Sequence, residues 1–149
     1  MMNTLNHVKI RLLQKEDLEA IIHIDEKILG ENRKEYWVRK LNVLNTKSSQ
    51  VSLVAEVEGE VKGFILGDVS GWEFGVPDSI GWIDSLGVDP LYQKRGLATL
   101  LIQELIKKLK AIGVRTIYTL VSWNHWDLLQ FFHRMGFTRG DLINLELKI

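Results

Sequence analysis

The 149-residue chain contains no cysteine. That excludes disulfides, thiolate metal sites and a cysteine nucleophile. It has no excess of charge either: 19 basic residues balance 19 acidic ones, so a broad nucleic-acid surface or a patch for anionic membranes is not expected. No apolar run approaches the length of a membrane span, and residues 1–11 lack the apolar core of a signal peptide, so a cytoplasmic protein is expected. Neither Gly-x-x-x-x-Gly-Lys-Ser/Thr nor Gly-x-Gly-x-x-Gly occurs, which excludes a P-loop and a dinucleotide fingerprint. Repeats, low-complexity stretches and linkers are absent as well. What remains, with 46% hydrophobic and 26% charged residues, has the composition of one soluble globular domain with a core of its own.

Periodicity divides the chain into alternating elements. Residues 8–13 read as a strand. Residues 17–29 read as a helix with an apolar face at Leu18, Ile21, Ile22, Ile24 and Ile28, stopped at Gly30. A second helix, residues 33–44, turns Tyr36, Trp37, Leu41 and Leu44 inward. Residues 51–57 and 61–69 form a hairpin across Glu58-Gly59-Glu60, and residues 80–88 are a further strand. A helix over residues 99–112 ends at Gly113, and residues 114–121 are a strand. A short helix carries Phe131 and Phe132. Residues 142–147 alternate apolar and polar side chains and are expected to close the sheet as an edge strand.

The stretch that carries chemistry is Val88-Asp89-Pro90-Leu91-Tyr92-Gln93-Lys94-Arg95-Gly96-Leu97-Ala98, which runs directly into the helix from Thr99. Pro90 ends a strand, and Gly96 lets the backbone turn sharply and a ligand approach its amides. The first amides of a helix have no intrahelical partner and lie at the positive end of its dipole. Strand, glycine loop and helix start together form a cradle for a pyrophosphate. Lys94 and Arg95 can meet further negative charge at its rim, or stand as a solvated pair. A second block contains Asn124 and then Leu128-Leu129-Gln130-Phe131-Phe132-His133-Arg134-Met135-Gly136-Phe137.

The spacing Gln93-x-x-Gly96-x-Ala98 resembles the acetyl-CoA signature of the GNAT superfamily of N-acetyltransferases. The second block resembles that family's Asn, Phe-Tyr and Gly-Phe motif, with Phe132 at the tyrosine position. The likeness runs over essentially the whole chain. It implies an α/β (mixed α+β) fold, a mostly antiparallel sheet of six to seven strands with helices on both faces. It also implies a transferase that moves an acetyl group from acetyl-CoA, with no metal, to a primary amine by direct attack in a ternary complex. The acceptor class (small amine, amino acid, peptide or protein amine) stays open, as does a homodimer.

The resemblance also distributes roles. Leu86, Gly87 and Val88 would meet the pantetheine arm through their backbone, where the fourth and fifth strands splay, and Gly87 would mark a bulge that opens the splay. Backbone donors near Leu86 or Gly87 would polarise the thioester carbonyl. Gln93, Lys94, Arg95, Gly96, Leu97, Ala98 and Thr99 would hold the phosphates, with Asn124 and Phe131 also touching the cofactor. Trp82, Asp84 and Leu86 are expected on one face of their strand. Asp84, a carboxylate expected to be buried in an apolar strand, is costly unless paired or functional and is the candidate base or water holder. Tyr36, Trp72, Glu73 and Trp82 would line the acceptor side, where aromatic faces and carboxylates suit a cation. Phe132 cannot supply the phenol that the family commonly uses to protonate the departing sulfur; Ser122, His125 and Tyr118 are substitutes among which the sequence does not choose. That departure keeps two other readings open, an acyl-CoA-binding sensor and a protein-interaction module.

Overall fold

Short β-branched and aliphatic runs punctuated by Gly30, Gly59, Gly96 and Gly113, each at positive φ, let the chain reverse direction after each element. The computed structural model describes residues 7–47, 51–69 and 80–149. In chain order these form β1 (Val8–Leu12), α1 (Leu18–Leu29), α2 (Lys34–Lys47), β2 (Leu53–Val57), β3 (Glu60–Asp68), β4 (Ile80–Val88), α3 (Leu97–Ala111), β5 (Thr116–Thr119) and α4 (Trp126–Arg134). The strands lie in sequence order in one sheet. β1 to β4 pair antiparallel and β5 joins β4 in parallel.

Alternation along the strands assigns the two faces. On one, Val54, Phe64 and Leu66 meet Ile21, Ile22 and Ile24 of α1 and Trp37 and Leu41 of α2. On the other, Leu53, Ala55, Val57, Ile65, Ile83 and Val88 pack under Leu97, Leu101, Ile102, Leu105 and Leu109 of α3 and Phe132 of α4. Helices cover both faces, as expected. Tyr36, expected inward, is exposed, while its neighbour Trp37 is in the core.

Three sequence expectations require correction. The sheet has five strands among the described residues, not six or seven. β5 is only four residues long, and residues 142–147 form no strand. They are exposed chain that pairs with no strand among the described residues. Second, Gly87 is not a bulge. The β3–β4 register pairs Leu66 with Ser85 and Gly67 with Ile83, so Asp84 is the residue with no partner across the ladder. An inserted residue switches the side-chain alternation. This explains the third correction: Asp84 faces α2, while Leu86 joins the α3 core beside Val88, so Trp82, Asp84 and Leu86 do not share a face.

Gly87 has a different task. A Cβ built there would sit 2.6 Å from Cε1 and Cζ of Phe64. That ring is buried and held edge-on by Trp37 at 5.4 Å between centroids, so it has little room to yield. Gly87→Ala is therefore expected to destabilise the fold by about 1–3 kcal/mol, as overpacking does. The double variant Gly87→Ala/Phe64→Leu should lose less than the sum of its single changes. Urea unfolding with equal m-values measures both.

Candidate active site

Parallel pairing between β4 and β5 extends only from Ile80↔Thr116 to Ile83↔Thr119. At that last pair the Thr119 hydroxyl donates to the Ile83 carbonyl at 3.0 Å and takes up an acceptor there. Beyond it, residues 85–88 stay paired to β3 on one side. On the other side no strand is present among the described residues. The backbone of Leu86, Gly87 and Val88 thus borders a parted edge, which is the kind of edge an extended ligand can join as an added strand.

The parted strand leads into the loop. Pro90–Tyr92 form one 3₁₀ turn. Two left-handed residues follow, Lys94 at φ 61° and Gly96 at φ 90°; for Lys94 this stores about 1 kcal/mol of strain. Gly96 is the N-cap of α3 and offers no side-chain cap. The first helical bond is Leu100 N–H to Gly96 C=O at 3.0 Å. The amides of Leu97, Ala98 and Thr99 precede it, at the positive end of a 15-residue helix. A Cβ at Gly96 would meet nothing within 4 Å, so the space beside this residue is open. Gln93 turns its amide back, donating from Nε2 to the Val88 carbonyl at 3.1 Å, and so joins the strand end to the loop. Arg95 lies over the Tyr92 ring, 5.5 Å from its centroid, and Lys62 lies 5.2 Å from the same ring.

Asp89 holds this loop to the body of the fold. Its side chain is 2% exposed. Oδ2 meets Lys27 Nζ of α1 at 2.9 Å and Lys62 Nζ of β3 at 4.0 Å. Oδ1 accepts from the Leu91 amide at 3.0 Å, and the Asp89 amide donates to the Lys62 carbonyl at 2.9 Å. Burial alone would push the Asp89 carboxyl up; Lys27, the Leu91 amide and Lys62 outweigh it and hold it below the usual carboxylate range. Sequence reasoning passed over Asp89, Lys27 and Lys62. Asp before Pro is an ordinary cap for a turn, and the lysines are 62 and 27 residues away in sequence.

On the opposite face of the sheet, the extra residue Asp84 projects toward α2 and meets Lys40 Nζ at 2.6 Å. The Ser85 hydroxyl donates to the same Asp84 oxygen at 3.0 Å. The Asp84 side chain is 37% exposed, so the expected buried carboxylate is instead an accessible, paired one. Burial would push the Lys40 ammonium down, but Asp84 and the Tyr36 hydroxyl outweigh it and raise it above the ordinary lysine value. Tyr36 stands between Arg33, 4.4 Å from its ring centroid, and Lys40, at 5.4 Å. Arg33 in turn holds Asp25 through two bonds of 2.8 and 2.7 Å. Trp82 is half-buried and packs on Tyr118 at 5.2 Å between centroids. The structure brings Tyr36, Lys40 and Asp84 together at one place. Trp72 and Glu73 lie outside the described residues.

The last group is dispersed. Asn124 is exposed on the turn before α4, its amide donating to the Ser122 hydroxyl at 3.3 Å. Phe131 is half-buried, and Phe132 is the more enclosed ring, between Phe131 and Phe137 at 5.5 and 5.0 Å. The tyrosine position is filled by a core residue.

Among the described residues, a five-stranded sheet with helices on both faces parts beside an uncapped helix start, so a free strand edge and free helix amides lie in sequence along one segment. The sequence model of the acetyltransferase (GNAT) family matches residues 18–137. The chain belongs to that family. Among solved structures it is similar to AAC(6')-Iy in complex with the bisubstrate analogue CoA-S-monomethyl-acetylneamine, with TM-score 0.81 and 18% identity over 97% of this chain and 99% of that one. It is also similar to a transcriptional regulator from Bacillus halodurans C-125, with TM-score 0.76 and 20% identity over 96% and 100%. A third match is the ribosomal-protein-S18-alanine N-acetyltransferase from Escherichia coli, with TM-score 0.72 and 22% identity over 90% and 79%. These likenesses establish the fold.

The Asp89 anchor sets an acid limit on stability. A carboxyl held low contributes stability that is fully present above its unfolded value, about 3.9, and is lost as pH falls through the folded value. Asp17 beside Arg11 and Asp25 beside Arg33 are held low in the same sense, their partners outweighing burial. Melting temperature should be flat from pH 7 to about 5 and fall below about pH 4. Asp89→Asn, which keeps an oxygen for the Leu91 amide but leaves Lys27 unmatched, should cost about 1–3 kcal/mol at pH 7. Its loss on acidification should be shallower than that of the unaltered chain. Calorimetric melts across this range report both.

Proposed function

We propose that the chain transfers the acetyl group of acetyl-CoA to a primary amine, by direct attack in a ternary complex. The observation that carries the proposal is the continuity of a parted β4 edge with the open amides at the start of α3. One strand and its loop offer both a ladder for a pantetheine arm and a cradle for the pyrophosphate. In this reading the backbone of Leu86, Gly87 and Val88 pairs with the arm. Residues 93–99 hold the phosphates through their amides, with Lys94 and Arg95 at the rim. Asn124 and Phe131 border the cofactor from the α4 side.

The acceptor enters on the other side, past Tyr36, Trp82 and Asp84, with Trp72 and Glu73 assigned to the same wall from sequence. An ammonium group is the natural rival of Lys40 for the Asp84 carboxylate. Asp84 takes one proton from it directly or through a held water; the freed amine nitrogen bonds to the thioester carbonyl carbon, the C–S bond breaks, CoA leaves as a thiolate, and the nitrogen's second proton passes to water or to the departing sulfur. Small amines, amino acids and peptide or protein amines all satisfy this chemistry. The phenylalanine at position 132 favours a second reading, in which the fold binds acyl-CoA as a sensor or interaction module without turnover. Acetyl-CoA consumption over a panel of amines separates the two.

Gly96→Val tests the cradle. A β-branched residue at φ 90° is strained, and its side chain would occupy the open space at this position. CoA affinity should fall well over tenfold, about 1.4 kcal/mol or more. Lys94→Ala should cost less, and its effect should shrink in high salt. Unchanged CoA affinity by calorimetry in a folded Gly96→Val protein would remove the ligand from this loop.

Asp84→Asn tests the acceptor side. kcat/KM should drop about 10²-fold or more, the scale of a positioned base, while the Kd for CoA barely changes. If turnover at temperatures below melting stays at the original rate, Asp84 is only the partner of Lys40.

A further inference from the structure

On the α2 side of β4, a single ion pair keeps a polar group to spare at each end. Lys40 Nζ meets Asp84 Oδ1 at 2.6 Å, and the Ser85 hydroxyl donates to the same oxygen. Asp84 Oδ2 has no partner among the described residues. A lysine ammonium carries three N–H donors. Asp84 accepts one and the Tyr36 hydroxyl another, so the last is free among the described residues. The side chains of Lys40 and Asp84 are 21% and 37% exposed, and Tyr36 is exposed beside them. A free donor and a free acceptor therefore adjoin, on accessible charges of opposite sign.

The charge around the pair limits what can dock there. Arg33 stands 4.4 Å from the Tyr36 ring centroid, and its own charge is answered by Asp25 through two bonds. A substrate that brought only an ammonium to Asp84 would set two cations against one carboxylate. Like charges at such range repel strongly where water is partly excluded. A carboxylate next to the incoming ammonium removes the conflict. The ammonium then donates to Asp84 Oδ2, the carboxylate accepts the remaining N–H of Lys40, and four charges alternate in sign while the Lys40–Asp84 pair stays whole.

We infer that this site takes a free α-amino acid as its acceptor, held as a zwitterion across the Lys40–Asp84 pair, with Lys40 selecting the carboxylate. The inference rests on the acetyl-transfer reading above and names its substrate class. One carbon separates the two charged groups of an α-amino acid, which suits two vacant atoms flanking one ion pair. A peptide N-terminus, a lysine side chain or a polyamine brings an ammonium with no adjoining carboxylate. Lys40 binds and orients the substrate and takes no proton; the reacting nitrogen lies at Asp84.

Binding tests the site separately from turnover. The standard L-amino acids and the carboxamide of each are titrated calorimetrically into the full chain, with and without CoA. At least one amino acid should bind about tenfold or more tightly than its carboxamide, the usual scale for a lost partner of a charge pair. Lys40→Gln should erase that preference by weakening the acid, whereas Lys40→Arg, which keeps a cation suited to a carboxylate, should retain it. Melting curves of both variants verify the fold, and the comparison of acid with carboxamide in the unaltered chain needs no variant. Acids and carboxamides that bind alike, no binding of any amino acid, or a preference that survives Lys40→Gln in a folded protein would each overturn the inference. A preference lost in Lys40→Gln, with the bound amino acid never acetylated by acetyl-CoA, supports the zwitterion site and overturns the acetyl-transfer reading instead.

Discussion

Four residue pairs hold β4 to β5, and the free edge of β4 depends on their stopping where they do. The ladder ends at Ile83↔Thr119, and the next residue, Asp84, has no partner across β3 either. The two irregularities coincide. A bulge increases local twist and turns the strand beyond it, which is the movement needed to carry residues 85–88 away from the line of β5. Thr119 closes the last rung by giving its hydroxyl to the Ile83 carbonyl. A parting that began one rung later would bury the Asp84 backbone between two strands and leave less of β4 free for a ligand.

Having parted, β4 has to deliver its loop to a fixed place, and buried charge does this more rigidly than apolar contact would. Asp89 bonds along defined directions to α1, β3 and its own turn, so the loop cannot slide without leaving a carboxylate or an ammonium unmatched. Such pairs often contribute little net stability, yet breaking one side is costly; what they confer is position. The charge balance of the whole chain has the same character. Asp17, Asp25, Asp84 and Asp89 each face a specific Arg or Lys, so the zero net charge reflects local matching as well as arithmetic.

Much of this was legible in the sequence because period and punctuation carry it. Helices α1 and α3 announce themselves by apolar faces and by glycines at their ends, and the loop with Gln93 and Gly96 by its place between a strand and a helix. The bulge was not legible. Residues 80–88 alternate plausibly whether or not one residue is extra, and only the pairing with β3 reveals that Asp84 is displaced. For the same reason Gly87 invited the wrong role: nothing local indicates that the Phe64 ring, 23 residues earlier in sequence, lies against it. Lys27, Lys40 and Lys62 were invisible as site residues because a lysine gives no periodic signal, and their partners are set by tertiary contact alone. The alternation in residues 142–147 suggests an edge strand, but these residues form none; an alternating pattern alone does not supply a strand to pair with.

Phe132 is a core residue at the position where the family resemblance sets a phenol. In this molecule its ring is wedged between Phe131 and Phe137 beneath α4, and it fills the α3 side of the core. A phenol in the same place would need a partner for its hydroxyl, since an unpaired buried hydroxyl costs about 1–3 kcal/mol. A bound thioester or thiolate could supply that partner only while the ligand is present. Phenylalanine removes this cost from the ligand-free protein and forgoes a proton donor. The loss is bearable chemically, because a thiol with a free pKa near 8.5 leaves as a thiolate at neutral pH far more readily than an alkoxide would. The parted strand and the loop amides, which present backbone groups and not side chains, are untouched by the exchange of one ring for another.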